Sequence, residues 1–259
     1  MSARALITGA SSGLGEEFAI QLAREGFALV LVARREDRLQ AVAERARESG
    51  APEAAVLAAD LSRPEAPAEI HRRLANEGVA IDWLVNNAGF GTRGRFDRAP
   101  LDREIEEINL NISSLVALTR LFIPAMVERR SGIVVNVAST AAFQPVPWMA
   151  TYAATKAFVL SFSEAIAEEL RGSGVTVTAL CPGPTRTEFQ QVAGVEDSAF
   201  PSFAYMDAAT VVREAIAAAR SGKSVKINGM INTLMAESTR IAPRALVRRI
   251  AGAMFRGDS

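Results

Sequence analysis

An alternation runs through this chain and leaves few folds open to it. Short apolar runs (Arg4–Thr8, Ala28–Ala33, Ala54–Ala59, Ile81–Asn86, Gly132–Ala138, Val175–Leu180 and Ser224–Asn228) are separated by longer amphipathic stretches. Those stretches are Gly13–Glu25, Arg35–Ser49, Pro64–Asn76, Asp102–Arg129, Thr151–Arg171 and Asp207–Arg220. The runs are mostly continuous rather than alternating in polarity, the pattern of strands buried on both faces. Strand, helix and strand in repetition imply right-handed crossovers and a parallel sheet. The expected fold is α/β, a single doubly wound parallel sheet with helices on both faces.

No linker, repeat or low-complexity stretch divides the 259 residues. Residues 1–230 are read as one domain and 231–259 as an amphipathic, basic extension of it. Two segments break the alternation. Residues 182–206 carry Pro182, Gly183, Pro184, Gly194 and Pro201 among Phe189, Phe200, Phe203 and Tyr205, a composition suited to a lid over a substrate. In the tail, Pro243 starts a last helix. Leu246, Val247, Ile250 and Met254 share one face of it, with arginines at the margins. That face is expected to pack on its own domain or a sister subunit. The other readings are an anionic membrane surface and a wall of the substrate entrance.

Composition removes several function classes. Formal net charge is zero, which argues against nucleic-acid steering. One cysteine, Cys181, and one histidine, His71, allow neither an internal disulfide framework nor a structural zinc site. His71 lies in the polar run Glu69–Arg73, which reads as an exposed helix face and not as the base of a hydrolase. No signal-like segment precedes the first strand. No continuous apolar run reaches the ~18 residues needed to span a bilayer. The expected compartment is the cytoplasm.

After the first strand comes Thr8-Gly9-Ala10-Ser11-Ser12-Gly13-Leu14-Gly15, which runs into a helix. Glycines let backbone approach a pyrophosphate, and a helix N-terminus offers free amides and positive dipole. A plain tight turn would use the same residues. The second strand ends Val32-Ala33-Arg34-Arg35. A carboxylate there would suit the ribose 2′-hydroxyl of NAD. Ala33 lacks one and Arg34 supplies a permanent planar donor for a 2′-phosphate, so NADP is favoured over NAD. The arginines can also be read as a solvated helix cap. Asp60-Leu61, after the third strand, can meet an adenine amino group or cap the next turn. Asn86-Asn87-Ala88-Gly89 closes the fourth strand, where ligands gather in such sheets, or simply forms a turn.

Tyr152 and Lys156 are one of two tyrosines and one of three lysines in an arginine-rich chain. Four residues apart on a helix, they share a face. Two unit charges ~4 Å apart at an effective dielectric of ~20 interact by roughly 4 kcal/mol. The ammonium is therefore expected to lower the phenol pKa from about 10 by up to roughly 3 units, which suits a general acid or base. The bland alternative is an exposed i,i+4 pair.

Taken in order, the glycine turn, Asn86-Asn87-Ala88-Gly89, the Tyr152/Lys156 pair and Pro182-Gly183 resemble the classical short-chain dehydrogenase/reductase superfamily, from about Ala5 to Asn228. The resemblance implies a Rossmann-type core and an oxidoreductase that uses a nicotinamide cofactor without metal. It implies Tyr152 as acid/base and Ser139, thirteen residues earlier, as the hydroxyl that steadies the substrate oxygen. Lys156 would hold the nicotinamide ribose. Asn111 would anchor a water beside Lys156, in preference to Asn109. Cofactor contacts are implied at Gly9, Ser11, Ser12, Gly13, Leu14, Gly15, Arg34, Asp60, Leu61, Asn87, Ala88, Gly89, Tyr152, Lys156, Pro182, Gly183, Thr185 and Thr187. A homodimer or homotetramer is implied through helices 102–129 and 151–171.

Cys181 reads as a small buried hydrophobe. Phe90, Phe143, Val146, Trp148, Met149, Phe189 and Phe203 are expected in an apolar pocket wall, suited to lipophilic ketones, aldehydes or 3-oxoacyl chains. A nonenzymatic NADP(H)-binding sensor would use the same turn but has little need of Ser139, Tyr152 and Lys156 together. A nucleotide-sugar epimerase would need a larger C-terminal region.

Overall fold

The structure, a computed structural model, describes residues 2–186, 188, 189, 193 and 205–255, apart from the side chains of Met254 and Phe255. In chain order the main elements are β1 (Arg4–Thr8), α1 (Gly13–Arg24), β2 (Ala28–Ala33), α2 (Glu36–Glu48), β3 (Ala54–Ala58), α3 (Ala66–Asn76), β4 (Trp83–Asn86), α4 (Leu101–Ile108) and α5 (Leu115–Glu128). They continue with β5 (Gly132–Val137), α6 (Ala150–Glu169), β6 (Val175–Cys181), α7 (Ala208–Arg220), β7 (Val225–Ile227), α8 (Met230–Ser238) and α9 (Arg244–Phe255). The strands form one seven-stranded sheet in the order β3-β2-β1-β4-β5-β6-β7, and every pairing is parallel.

Successive residues of a strand face opposite sides of the sheet, so each apolar run feeds two cores. Ile7, Leu29, Leu31 and Val85 pack with Phe18 and Leu22 of α1, Leu39 and Val42 of α2, and Val212 and Ile216 of α7. Leu6, Val30, Leu84 and Val134 pack on the other side with Ile70 and Leu74 of α3 and Leu118, Phe122 and Met126 of α5. The strand order reverses at β1 and β4, which opens a crevice at their C-terminal ends.

Three features depart from the sequence reading. The stretch expected as one helix over Asp102–Arg129 is interrupted by a π-helical turn at Asn109–Ser114. Taken whole, Leu101–Glu128 spans 28 residues and is, by length and composition, apolar enough to cross a bilayer. Its Leu118, Phe122 and Met126 are instead spent on the sheet, and the acidic residues of α4 interrupt any continuous apolar run. His71, expected on an exposed face, is half-buried and meets Phe122 edge-on at 5.1 Å.

Candidate active site

The glycine turn closes tightly over the end of β1. A Cβ on Gly15 would lie 2.3 Å from the Gly9 carbonyl oxygen, so only glycine lets α1 start so close to the strand. Asn87 Nδ2 donates to the carbonyls of Thr8 (2.9 Å) and Gly9 (3.2 Å). The backbone amides of Asn87 and Ala88 both donate to Thr8 Oγ1 at 2.9 Å. These bonds tie the two halves of the switch point into one rim. Ser12, the residue before α1, makes no side-chain capping bond, which leaves first-turn amides for an anion.

From this rim a cavity of about 800 Å³ runs across the crevice. Gly9, Ser11, Ser12, Gly13, Leu14, Arg34, Asp60, Leu61, Asn87, Ala88, Gly89, Ser139, Tyr152, Lys156, Pro182, Gly183 and Thr185 all line it. Two of the expected residues do not. Gly15 lies behind the turn, where its role is close packing, and Asn111 lies beneath the floor. Thr187 falls outside the described residues, as do Phe200, Phe203 and most of the expected lid.

Arg35 was not singled out by sequence. Its Nη2 donates to Ser11 Oγ (3.2 Å), Ser12 Oγ (3.1 Å) and Glu188 Oε2 (3.1 Å), while Arg38 also pairs with Glu188. Arg34 pairs with Glu106 at 3.2 Å. Two guanidiniums therefore flank the outer end of the cavity, where a single Arg was expected. Burial tends to raise the Asp60 pKa, but its bonds from Ser62 and the charges of Arg34 and Arg63 outweigh that and hold it below the usual value. Its Oδ1 accepts from the Ser62 amide (3.0 Å) and hydroxyl (2.7 Å), so the turn-capping reading of Asp60 holds alongside its place in the cavity wall.

At the inner end, α6 presents Tyr152 and Lys156, both buried. The exposed-pair alternative is excluded. Lys156 Nζ donates to the Val137 carbonyl at 2.8 Å, which ties the helix to the end of β5. Asn111 Oδ1 accepts from the Phe90 amide (3.1 Å), and its Nδ2 donates to the Phe90 carbonyl (2.9 Å) and Thr155 Oγ1 (3.1 Å). The π turn at Asn109–Ser114 carries this residue inward, whereas Asn109 is only half-buried. A Cβ on Gly89 would fall 2.8 Å from Asn111 Oδ1 and 3.4 Å from Lys156 Nζ, so the three residues meet at one point.

The expected acidification of the phenol is overturned. Burial pushes Tyr152 up to about 12, against a lowering contribution from the Ser139 hydroxyl and a further rise from Glu107. Burial likewise pushes Lys156 down to about 8, opposed by Glu107 and Cys181. Desolvation is the largest cause for both groups because both are buried, where each charged form loses water. Burial also pushes the Cys181 thiol up to about 12, the behaviour of a core residue and not of a nucleophile.

The apolar wall contains Phe90, Val146, Met149 and Phe189, as expected, but neither Phe143 nor Trp148. Trp148 instead lies under Gly252 of α9. Asn232, Met235 and Ala236 of α8, which the sequence did not point to, also line the cavity, as do Leu246, Val247 and Ile250 of α9, in keeping with the substrate-entrance reading of the tail. The tail thus combines two of its readings. Val247 and Ala251 are buried in their own domain, and the neighbouring side chains form the cavity mouth.

A dinucleotide-sized crevice at a switch point, ending on the half-buried Ser139 hydroxyl and a buried phenol and ammonium, defines the class: an α/β oxidoreductase that works on alcohol and carbonyl groups with a nicotinamide cofactor. The chain matches the short chain dehydrogenase family over residues 3–197 and belongs to it. It is 33% identical over 251 residues to a very-long-chain 3-oxoacyl-CoA reductase of Mus musculus, covering 95% of this chain and 77% of that protein. Among solved structures it resembles a short-chain dehydrogenase from Sphingobium yanoikuyae in complex with NADPH (35% identity, TM-score 0.84, 94% of both chains). It also resembles a bulky-bulky ketone specific alcohol dehydrogenase from Comamonas testosteroni (31% identity, TM-score 0.78, 92% of both chains).

Proposed function

We propose that this enzyme reduces bulky lipophilic ketones, of the 3-oxoacyl kind or similar in shape, with NADPH, and that Tyr152 supplies the proton. The observation that carries this reading is the single cavity that joins the glycine turn to the Ser139/Tyr152 floor and opens between Met235, Leu246 and Ile250. Relatives named for very-long-chain 3-oxoacyl-CoA and bulky ketone substrates support the substrate class.

When bound, the cofactor supplies the hydride. The chain's own residues do the rest. The α1 amides and the glycine turn receive the pyrophosphate, and Arg34 and Arg35 receive the 2′-phosphate that distinguishes NADPH. Ser139 donates to the substrate oxygen and steadies the charge that develops there. Tyr152 passes its proton to that oxygen. Its high pKa keeps the phenol protonated until then, and Lys156 and Ser139 favour the phenolate left behind. The apolar wall excludes water and aligns the chain of the substrate.

The enzyme acts as a homodimer or homotetramer in this reading. Support comes from the exposed apolar side chains Leu101, Ile105 and Ile108 on α4 and Phe158 on α6, which an interface between copies of the chain would cover. The test is the absorbance of NADPH followed against ketones and 3-oxoacyl thioesters of increasing chain length. Oxidation that strengthens with bulk supports the reading. A purified protein that binds NADPH but turns over none of the panel would instead favour the sensor alternative.

A further inference from the structure

Behind the active-site floor lies a carboxyl group that the reaction as described does not use. Glu107, one turn before Asn111 on the same helix, is fully buried. Its Oε2 lies 2.6 Å from Thr92 Oγ1, and its Oε1 has no hydrogen-bond partner among the described residues. The same Thr92 hydroxyl lies 3.0 Å from Glu104 Oε1, and Glu104 Oε2 accepts from Thr151 Oγ1.

The number of protons available decides how this group works. A threonine hydroxyl has one hydrogen and can donate to one acceptor at a time. If both carboxyls were ionised, one of its two contacts would set lone pair against lone pair, with two buried negative charges beside it. One proton on the pair removes the conflict: one carboxyl donates to Thr92, and Thr92 donates to the other. Glu107 is the natural holder. It is the more deeply buried of the two, and an unpartnered neutral oxygen costs far less than an unpartnered anionic one. Glu104 already receives a second donor.

Glu107 touches Thr92, on the loop after β4, and through it Glu104 on its own helix. The same loop carries Gly89, where a Cβ would fall 3.4 Å from Lys156 Nζ, and Gly91, where one would fall 2.9 Å from the Tyr152 ring, which brings Tyr152 and Lys156 of α6 against that loop. Cys181, at the end of β6, acts on Lys156. Burial holds the Glu107 carboxyl high, at about 7, with Thr92 lowering it and Glu104 raising it. The charges of Glu107 and Lys156 act on each other.

We propose that Glu107 is a positioning residue, the switchable counter-charge of Lys156. Its proton, shared with Glu104 through Thr92, decides whether the active-site lysine has an anion behind it. This deepens the reading above and rests on it. When Glu107 is neutral, Lys156 depends on its other partners. When Glu107 ionises, it holds the ammonium charged to higher pH, and the enzyme keeps its working lysine in mildly alkaline conditions.

The test is Glu107→Gln in the full-length enzyme, with kcat/KM for NADPH-dependent reduction measured across pH. Near pH 6 the variant is expected within about twofold of the wild type, because Gln mimics the neutral acid. Toward pH 8.5 it is expected to fall roughly fivefold or more below it, as Lys156 loses its proton earlier. Glu107→Met, which likewise carries no charge and leaves no buried polar group of its own unpaired, shifts the alkaline limb in the same direction and serves if Glu107→Gln folds poorly. A merely structural role would lower activity by the same factor at every pH, and a constant ratio overturns the proposal. Failure of the underlying reading is separable: the wild type would then show no NADPH turnover, or Tyr152→Phe would be as active as wild type.

Discussion

The Lys156 ammonium nitrogen stands 5.8 Å from the centre of the Tyr152 ring. It spends a 2.8 Å hydrogen bond on the Val137 carbonyl, so it acts on the phenol from over the ring. Both groups are buried, and burial moves each pKa toward its uncharged form. The phenol is therefore kept as an acid and the lysine kept close to its own titration.

Tyr152→Phe removes the proton donor but not the ring that packs near Phe189 at 5.3 Å. Turnover is expected to fall by about 10²–10⁴-fold, with NADPH affinity changed less than about threefold. Stopped-flow absorbance and cofactor titration measure the two separately.

Arg34→Ala and Arg35→Ala are expected to weaken NADPH roughly tenfold each, with far less effect on NADH, because a charge-assisted bond to the 2′-phosphate is lost. Arg35 also holds Ser11 and Ser12, so its removal should cost NADH somewhat more than removal of Arg34 does. Fluorescence titration with both cofactors decides. Equal losses for the two cofactors would show that neither arginine reads the phosphate.

Asn111→Leu strands the amide and carbonyl of Phe90 and loses the bond to Thr155. Buried groups left unpaired cost about 1–3 kcal/mol each. A loss of roughly 2–4 kcal/mol of unfolding free energy is expected, read by urea denaturation, together with lower activity.

Stability of the cofactor-free protein should respond to pH in two windows. Glu107 is raised from 4.5 to about 7, so the folded state retains a proton that the unfolded chain releases. Its contribution is complete below the lower value and is lost as pH rises through the window. Lys156 is lowered from 10.5 to about 8, so the unfolded chain holds the proton more firmly, and stability recovers as pH rises from the lower value to the higher. Glu107→Gln should abolish the first dependence and Lys156→Met the second, as measured by chemical denaturation at a series of pH values.

Leu246→Asp and Ile250→Asp place a charge at the cavity mouth. Both side chains are about half exposed (51% and 55%), so unfolding free energy should change by less than about 0.5 kcal/mol. KM for long or bulky ketones should rise several-fold, while NADPH binding and turnover of small ketones stay unchanged. Steady-state kinetics with a chain-length series tests this.

Much of the molecule was written in local order. Runs such as Ala28–Ala33 declare a strand buried on both sides because every residue is apolar, and the boundaries of β1 and β2 match the expected ones to the residue. The glycine turn, Ser139, Tyr152 and Lys156 were legible because residue type and spacing along one chain carry their chemistry. Arg35 and Glu107 were not, and the tail was legible only as a choice among three readings. Arg35 is one arginine among many until the turn brings Ser11 and Ser12 beside it. Glu107 looks like any acid in a polar helix turn until the π turn and α6 close around it. The mouth-lining of Leu246 and Ile250 depends on where α9 comes to rest, more than 90 residues beyond Tyr152. The direction of the Tyr152 pKa is the clearest case. Charge attraction between neighbours four residues apart can be read along a helix, but desolvation sums over every group that excludes water, and those groups come from distant parts of the chain.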